Sequence, residues 1–114
     1  MREFEVRTET SDGTMIVSVI GELDLSTHEQ LRDPLVAAGE QKTPVVVDLG
    51  ECDFIDSSGI RALLVGHEAL TSNGKARLAV AAPQPQVQKV LEMIGLGEAI
   101  PVHESVEVAL QSFG

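Results

Sequence analysis

Four consecutive residues, Asp56-Ser57-Ser58-Gly59, place two hydroxyl groups beside a carboxylate and are the strongest candidate for chemistry in this chain. An apolar, β-branched run at residues 45–49 precedes them and predicts a buried strand, and apolar residues at helical spacing follow them. The four residues should therefore lie at the start of a helix. Asp and Ser are favoured there because their side-chain oxygens accept hydrogen bonds from free backbone N–H groups. Capping is one interpretation of the tetrapeptide, and a chemical role for Ser57 is another.

Patterns that are typical of enzymes fail at specific positions. Ser57 and Gly59 match half of the nucleophile elbow G-x-S-x-G, but Ile55 occupies the position of the first glycine. Gly74-Lys75 lacks the glycine-rich run of a P-loop, and one cysteine with three dispersed histidines offers no zinc set or partner for the serine. We therefore predict that the chain is not an enzyme and has no catalytic residue, metal or cofactor of its own.

The predicted helix start is also a suitable place for a phosphoryl group on Ser57. Free N–H donors and the helix dipole stabilise negative charge at a helix N-terminus. A phosphoryl group adds a charge of about −1.5 to −2. With Asp56 adjacent, the modified loop would present dense negative charge to a docked partner. This combination predicts a switch in protein binding.

Composition and charge limit the possible partners. Of 114 residues, 43% are hydrophobic and 3% aromatic, so we expect one domain, residues 1–114, with an aliphatic core. The formal net charge of −10 argues against nucleic acids and anionic membrane surfaces, which repel an acidic protein. Residues 1–57 carry 13 of the 18 acidic side chains. This excess favours solubility in one interpretation and attraction to a basic partner surface in the other.

The sequence also indicates the cellular compartment of the protein. The N-terminal residues do not resemble a signal peptide, and no apolar run reaches the length needed to span a membrane. The single Cys52 cannot form an internal disulfide, so we expect a small buried apolar side chain there. These observations predict a cytoplasmic protein without direct membrane binding.

The first elements are predicted to be a hairpin and a helix. Asp12-Gly13 separates two strand patterns, at residues 4–6 and 15–20, and is a strong hairpin signal. Ser26-Thr27-His28-Glu29 matches a capping box, in which the Ser26 hydroxyl and the Glu29 carboxylate bond to free N–H groups. Pro34 should kink the helix or split it near residue 33, and Gly39 is the expected end. The apolar stripe of this helix comprises Leu31, Leu35 and Ala38.

The remaining elements alternate between strands and helices. After the helix that begins near residue 57 and ends at Asn73-Gly74, we expect a strand at residues 77–82 and a helix from Pro85 to Gly95-Leu96. The apolar stripe of that helix comprises Val87, Val90, Leu91 and Ile94. A short strand around residues 99–102 and a helix at residues 105–113 complete the chain. The order predicts an α/β fold: a β-hairpin, then βαβ units, in a mixed four- to five-stranded sheet with helices mainly on one face.

Three motifs in this order resemble the STAS domain of bacterial anti-sigma factor antagonists. They are Gly21-Glu22-Leu23-Asp24, the valine-rich strand that ends in Asp48-Leu49, and Phe54-Ile55 followed by the tetrapeptide. The resemblance spans nearly the whole chain, including the helix ending at Gly95-Leu96 and the short final helix. Each motif alone is weak, and the resemblance is specific because the three motifs occur in this order, at this spacing and in a chain of this length.

The resemblance implies a mechanism of partner switching. In that family the unphosphorylated antagonist binds an anti-sigma factor that is also a serine kinase, which frees the sigma factor for RNA polymerase. The kinase phosphorylates the serine immediately after the loop aspartate, here Ser57, and the antagonist dissociates until a metal-dependent serine phosphatase resets it. ATP and magnesium belong to the kinase in this scheme, and this chain is the substrate.

The same match implies roles for the residues around the phosphorylation site. Asp24 and Asp56 should flank Ser57 and help to form the docking surface, Ser58 should support the loop, and Gly59 should permit close approach of the partner backbone. One alternative is a STAS scaffold that does not switch, as a subunit of a membrane lipid-transport or signalling complex. The intact tetrapeptide favours the switch over that scaffold. An enzyme with a Ser57 nucleophile is a third possibility.

Overall fold

Five strands form one mixed sheet whose spatial order, β1-β2-β3-β4-β5, follows the order of the chain. The computed structural model describes residues 3–73 and 76–113. The strands are β1 (Glu5–Ser11), β2 (Thr14–Leu23), β3 (Val45–Ile55), β4 (Leu78–Ala81) and β5 (Val102–His103). The helices are α1 (His28–Glu40), α2 (Ser57–Asn73), α3 (Pro85–Ile94) and α4 (Val106–Phe113), with a 3₁₀ turn at Leu96–Glu98. Only β1 and β2 are antiparallel, and the other neighbours are parallel. The predicted fold class is confirmed.

The opening hairpin is the one predicted from Asp12-Gly13. Both turn residues have positive φ angles, 49° for Asp12 and 83° for Gly13, as a type I′ turn requires. The turn sets Ser11 opposite Thr14 and fixes the register along the whole pair.

The two faces of the sheet are covered unequally. Side chains from α1, α2 and α3 form a large cluster on one face, and Val106, Leu110 and Phe113 of α4 pack on the other. The run Val45-Val46-Val47 shows why both layers are needed. Val45 and Val47 belong to the large cluster and Val46 to the α4 cluster, and all three are fully buried. The β-branched run is therefore the central strand that its composition predicts.

The start of α1 differs from the capping-box prediction. The helix begins at His28, and its N-cap residue, Thr27, makes no side-chain capping hydrogen bond. The Ser26 hydroxyl donates instead to Asp24 Oδ1 at 2.7 Å. This charge-assisted hydrogen bond to a carboxylate two residues away holds Ser26 in the loop that precedes the helix.

Of the two effects predicted for Pro34, a kink or a split of the helix, the split is wrong. Helix α1 runs without interruption through Pro34, and the side chains of Leu31 and Leu35, on either side of it, are fully buried. Gly39 does not end the helix, which continues to Glu40. A Cβ atom on Gly39 would lie 2.7 Å from the Ala69 carbonyl oxygen, so this glycine allows α1 and α2 to pack closely.

Strand β3 is longer than the five residues that its apolar run predicts. It continues to Ile55, and its second half pairs with β2 from Ile20 to Leu23. Strand β4 pairs only with the first half, from Val45 to Asp48. The second half of β3 therefore extends beyond β4 and leads directly to the tetrapeptide.

Several boundaries in the C-terminal half also differ from the predictions. Strand β4 ends at Ala81, because Ala82 turns the chain away with a φ angle of 56°. Ile94 is 51% exposed and does not belong to the buried stripe of α3. Gly95 ends α3 with a φ angle of 71°, as predicted, whereas the predicted cap at Gly74 lies outside the described residues. The last strand is Val102–His103.

Candidate functional site

The ends of β2 and β3 bring the predicted site residues to the same edge of the sheet. Leu23 is the register partner of Ile55, and the Asp56 N–H donates to the Leu23 carbonyl oxygen at 3.3 Å. Asp24 and Asp56 are therefore the residues that immediately follow two neighbouring parallel strands. Their proximity confirms that the Gly21–Asp24 motif and the tetrapeptide belong to a single region, although they are about thirty residues apart in sequence.

Asp56 caps α2. Its Oδ1 atom accepts hydrogen bonds from the backbone N–H groups of Ser58 at 2.9 Å and Gly59 at 3.4 Å. Its carbonyl oxygen accepts the first helical bond, from the Ile60 N–H at 3.0 Å. The capping interpretation is confirmed, and such a cap is worth about 1 kcal/mol.

Ser57 is the first residue of α2, and it is exposed. Its hydroxyl makes no hydrogen bond to any residue in the described ranges. No acidic residue lies within the first turn of α2 itself, so Asp56 is the carboxylate nearest to the helix start. The hydroxyl is thus open to another protein, at the end of the helix whose dipole favours a negative group. Ser58 is half-buried and contributes its backbone N–H to the cap.

Gly59 is buried, and the atoms that approach it belong to the same chain. A Cβ atom at this position would lie 2.8 Å from Leu23 Cγ and 2.8 Å from Ile55 Cγ1. The close approach of a partner's backbone at Gly59 stays a prediction, and the glycine lets the first turn of α2 approach the ends of β2 and β3. Its effect on Ser57 is indirect, through the position of the helix.

Asp24 organises the loop between β2 and α1. Its Oδ1 atom accepts hydrogen bonds from the Ser26 hydroxyl at 2.7 Å and the Ser26 N–H at 3.0 Å. The Thr27 hydroxyl accepts from the Asp24 N–H at 2.9 Å and donates to the Glu22 carbonyl oxygen at 2.8 Å. The Ser26 hydroxyl, aided by the Ser26 N–H and by Thr27, holds the pKa of the Asp24 carboxyl below its ordinary value. The carboxylate is therefore ionised and held in a fixed position at neutral pH.

Two exposed apolar side chains flank the aspartates, and sequence reasoning missed both. Leu25 follows Asp24 and is 75% exposed, and Phe54, two residues before Asp56, is 47% exposed. The alternation of side chains along a strand could have identified Phe54 as exposed, because Ile55 is buried and its neighbour Phe54 must point to the opposite face. Large apolar side chains that solvent reaches next to fixed charges are typical of protein-binding surfaces.

This site is a surface and not a cleft. A cavity of about 430 Å³ is lined by Arg7, Ser18 and Asp48 on the sheet, and its lining does not include Ser57. Within residues 3–73 and 76–113, no group of three or more His, Cys, Asp or Glu side chains is arranged to hold a metal ion. None of the helices in the described part of the chain is long and apolar enough to cross a membrane.

Comparison with known proteins defines the class to which this fold and site belong. The model of the STAS domain family matches residues 5–109, so the chain belongs to that family. An anti-sigma F factor antagonist of Paenibacillus polymyxa is 29% identical over 108 residues, which cover 93% of this chain and 92% of the relative. The predicted family membership is confirmed.

Solved structures give the same result. The crystal structure of an anti-sigma factor antagonist from Mycobacterium paratuberculosis has a TM-score of 0.86 and 27% identity, and covers 96% of this chain and 93% of that one. The anti-sigma factor antagonist SpoIIAA in its unphosphorylated form has a TM-score of 0.76 and 25% identity, and covers 97% of this chain and 96% of that one. The chain is thus similar over its length to proteins named for antagonism of anti-sigma factors.

Proposed function

We propose that this protein is an anti-sigma factor antagonist and that phosphorylation of Ser57 switches off its binding to the anti-sigma factor. One observation carries the proposal: Ser57 is the exposed first residue of α2, held next to the capping residue Asp56. The names of the relatives support the class of partner, and the name of one solved relative specifies an unphosphorylated form.

The unmodified surface is suited to a basic partner with an apolar pocket. Leu25 and Phe54 supply large exposed side chains, and the carboxylates of Asp24 and Asp56 are each fixed by hydrogen bonds. Apolar anchors provide most of the affinity in such interfaces, and complementary charge adds specificity and speed of association. Ser57 and Ser58 follow Asp56 directly in the chain.

A phosphoryl group on Ser57 would change this surface without unfolding it. The start of α2 tolerates the group, because the helix dipole stabilises negative charge. A partner whose basic groups already pair with Asp24 and Asp56 has to enclose an added charge of about −1.5 to −2 beside those two carboxylates. Two like charges 4 Å apart repel by about 1 kcal/mol in water and about 4 kcal/mol at a partly desolvated interface. A repulsion in this range lowers affinity by about five- to 700-fold.

In this scheme the chain is a substrate, and the chemistry belongs to its partners. An anti-sigma factor with serine kinase activity transfers the γ-phosphoryl group of ATP to Ser57 Oγ, and the hydroxyl proton leaves to a base of the kinase. A metal-dependent serine phosphatase hydrolyses the phosphate ester and restores the hydroxyl. The antagonist acts in the cytoplasm, where the released sigma factor meets RNA polymerase.

The test uses the purified chain and the anti-sigma factor encoded in the same genome. Incubation with ATP and magnesium should add one phosphate, which tandem mass spectrometry should locate at Ser57. Ser57→Ala should abolish the modification, whereas the matched variant Ser58→Ala should retain it. Binding should be measurable before phosphorylation and lost after it.

Phosphate on another residue, or equal binding by both forms, would overturn the switch. An unmodified chain that co-purifies with the subunits of a membrane transport complex would favour the scaffold alternative.

A further inference from the structure

The second half of β3 extends beyond the end of β4. From Glu51 to Ile55 it pairs with β2, whereas the pairing with β4 ends at Asp48. Backbone carbonyl groups in this part of the strand can accept hydrogen bonds from side-chain donors. This is the part of the strand that leads to Asp56 and Ser57.

Two glutamine side chains supply those donors. Gln84 Nε2 donates to the Gly50 carbonyl oxygen at 3.0 Å, and Gln86 Nε2 donates to the Asp53 carbonyl oxygen at 3.1 Å. Gln84 Nε2 also lies 3.3 Å from Asp53 Oδ1. Gln86 Nε2 donates to Gln84 Oε1 at 2.8 Å, so the two amides are bonded to each other as well as to β3. We call this pair of side chains the glutamine bridge.

The backbone places the glutamine bridge beside β3. The left-handed φ angle of 56° at Ala82 turns the chain away from the sheet immediately after β4, and α3 begins three residues later at Pro85. Gln84 is the N-cap residue of α3, but its side chain makes no capping bond to that helix. Its amide is instead directed to a strand that is more than thirty residues earlier in sequence.

The point of attachment is close to the phosphorylation site. Asp53 lies three residues before the α2 cap and four before Ser57, and β3 continues without a break to Ile55. Phe54, the exposed aromatic residue of the proposed docking surface, is the next residue after Asp53. Anchoring the Asp53 carbonyl group therefore limits movement of the segment that presents Phe54, Asp56 and Ser57.

We propose that Gln84 and Gln86 are positioning residues that bind the β3 backbone beyond the end of β4 and hold the docking surface in its binding conformation. This inference rests on the proposed function, because the position of the docking surface affects binding only if a partner binds there. The glutamines act through the backbone at Gly50 and Asp53, and the phosphate acceptor remains the Ser57 hydroxyl.

The test removes the donors and keeps the shape of the side chains. Gln84→Met and Gln86→Met, singly and together, delete both amides with similar volume. Gln88→Met is the matched control, because the Gln88 amide on the same helix bonds only to Glu92 within α3. Hydrogen–deuterium exchange of residues 53–60 in the isolated chain should rise by about three- to tenfold in the double variant, and the control should match the wild type.

The second measurement is phosphorylation by the anti-sigma factor that modifies the wild-type chain. The double variant should raise KM by about fivefold or more and leave kcat within about twofold, because the Ser57 hydroxyl itself is unchanged. A purely structural role predicts lower thermal stability with unchanged KM at a temperature where all variants are folded. Gln86→Met alone, at an exposed position, keeps the test informative if the double variant does not fold.

Two negative results are distinguishable. Failure of the wild-type chain to accept phosphate overturns the proposed function, and normal exchange and KM in the double variant overturn the glutamine bridge alone.

Discussion

Replacing Gly59 by alanine tests the link between the packing of α2 and the presentation of Ser57. The added Cβ would lie 2.8 Å from Leu23 Cγ and 2.8 Å from Ile55 Cγ1. Neither neighbour can yield easily, since Leu23 is fully buried and Ile55 is only 3% exposed. The first turn of α2 must therefore move away from the sheet and take Ser57 with it.

The expected loss of stability is a difference between two opposing effects. Overpacking a core position by one methyl group costs about 1–3 kcal/mol. Alanine in place of glycine stabilises a helix interior by up to about 1 kcal/mol, and by less in the first turn. The net effect on Gly59→Ala should be a loss of about 1–2 kcal/mol, which corresponds to a decrease in Tm of about 4–10 °C for a domain of this size.

Two other glycines provide matched controls. At Gly97 no atom lies within 4 Å of an added Cβ, so Gly97→Ala should change the free energy of unfolding by less than about 0.5 kcal/mol. At Gly66, also in α2, the Cβ would lie 2.5 Å from Leu35 Cδ1 and 2.8 Å from Leu35 Cβ. Gly66→Ala should thus be destabilised like Gly59→Ala, but at a distance from the site.

The assay combines urea unfolding, followed by far-ultraviolet circular dichroism because the chain has no Trp or Tyr, with phosphorylation by the anti-sigma factor. Gly59→Ala should lose stability and phosphorylation rate together, and Gly66→Ala should lose stability alone. The reasoning is refuted if Gly59→Ala is as stable as the wild type. It is also refuted if Gly66→Ala slows phosphorylation equally at a temperature where both variants are folded.

Three other outcomes can be measured. Ser57→Asp should weaken binding to the anti-sigma factor by about 10- to 100-fold in calorimetric titration, since a carboxylate reproduces part of the phosphate charge. Equal affinities for Ser57→Asp and the neutral variant Ser57→Asn would exclude charge repulsion as the cause. Phe54→Ala should lower affinity for the anti-sigma factor by about 1–3 kcal/mol with little loss of stability. The control is Met93→Ala, because Met93 is 80% exposed. Loss of affinity in both variants would argue against Phe54 as a specific anchor. Ser26→Ala should raise the pKa of Asp24 in a carbon-13 NMR titration, because the Ser26 hydroxyl is the main cause of its lowered value, and an unchanged pKa would contradict that cause. Since the folded pKa is lowered, the stability that Asp24 contributes is complete above its ordinary value of 3.8 and is lost as the pH falls through the folded value.

The parts of the fold that depend on residues close in sequence were predictable. Asp12-Gly13 determines the hairpin through the φ angles of two residues, and Asp56 caps α2 through bonds to residues two and three positions later. The β-branched run at residues 45–47 identifies the central strand, because burial on both faces needs only apolar composition.

The parts that depend on competition or on distant residues were not predictable. Ser26 fits a capping box, but its hydroxyl donates to the Asp24 carboxylate, and the helix begins two residues later at His28. Residues 50–53 have low strand propensity, so the pattern ends β3 too early, whereas pairing with β2 extends it. The contacts of Gln84 with Gly50 join residues that no local pattern connects.

The order of the sheet has a consequence for biosynthesis. Because each strand pairs with the strand before it in the chain, the sheet can grow by addition at one edge as the N-terminal part emerges first from the ribosome. The hairpin, α1 and β3 suffice to bring Asp24 and Asp56 together, but the donors of Gln84 and Gln86 emerge later. A nascent chain that ends before α3 thus contains Ser57, the proposed phosphate acceptor, without the hydrogen bonds from Gln84 and Gln86 to β3. The proposed docking surface is complete only after residue 86 has been synthesised.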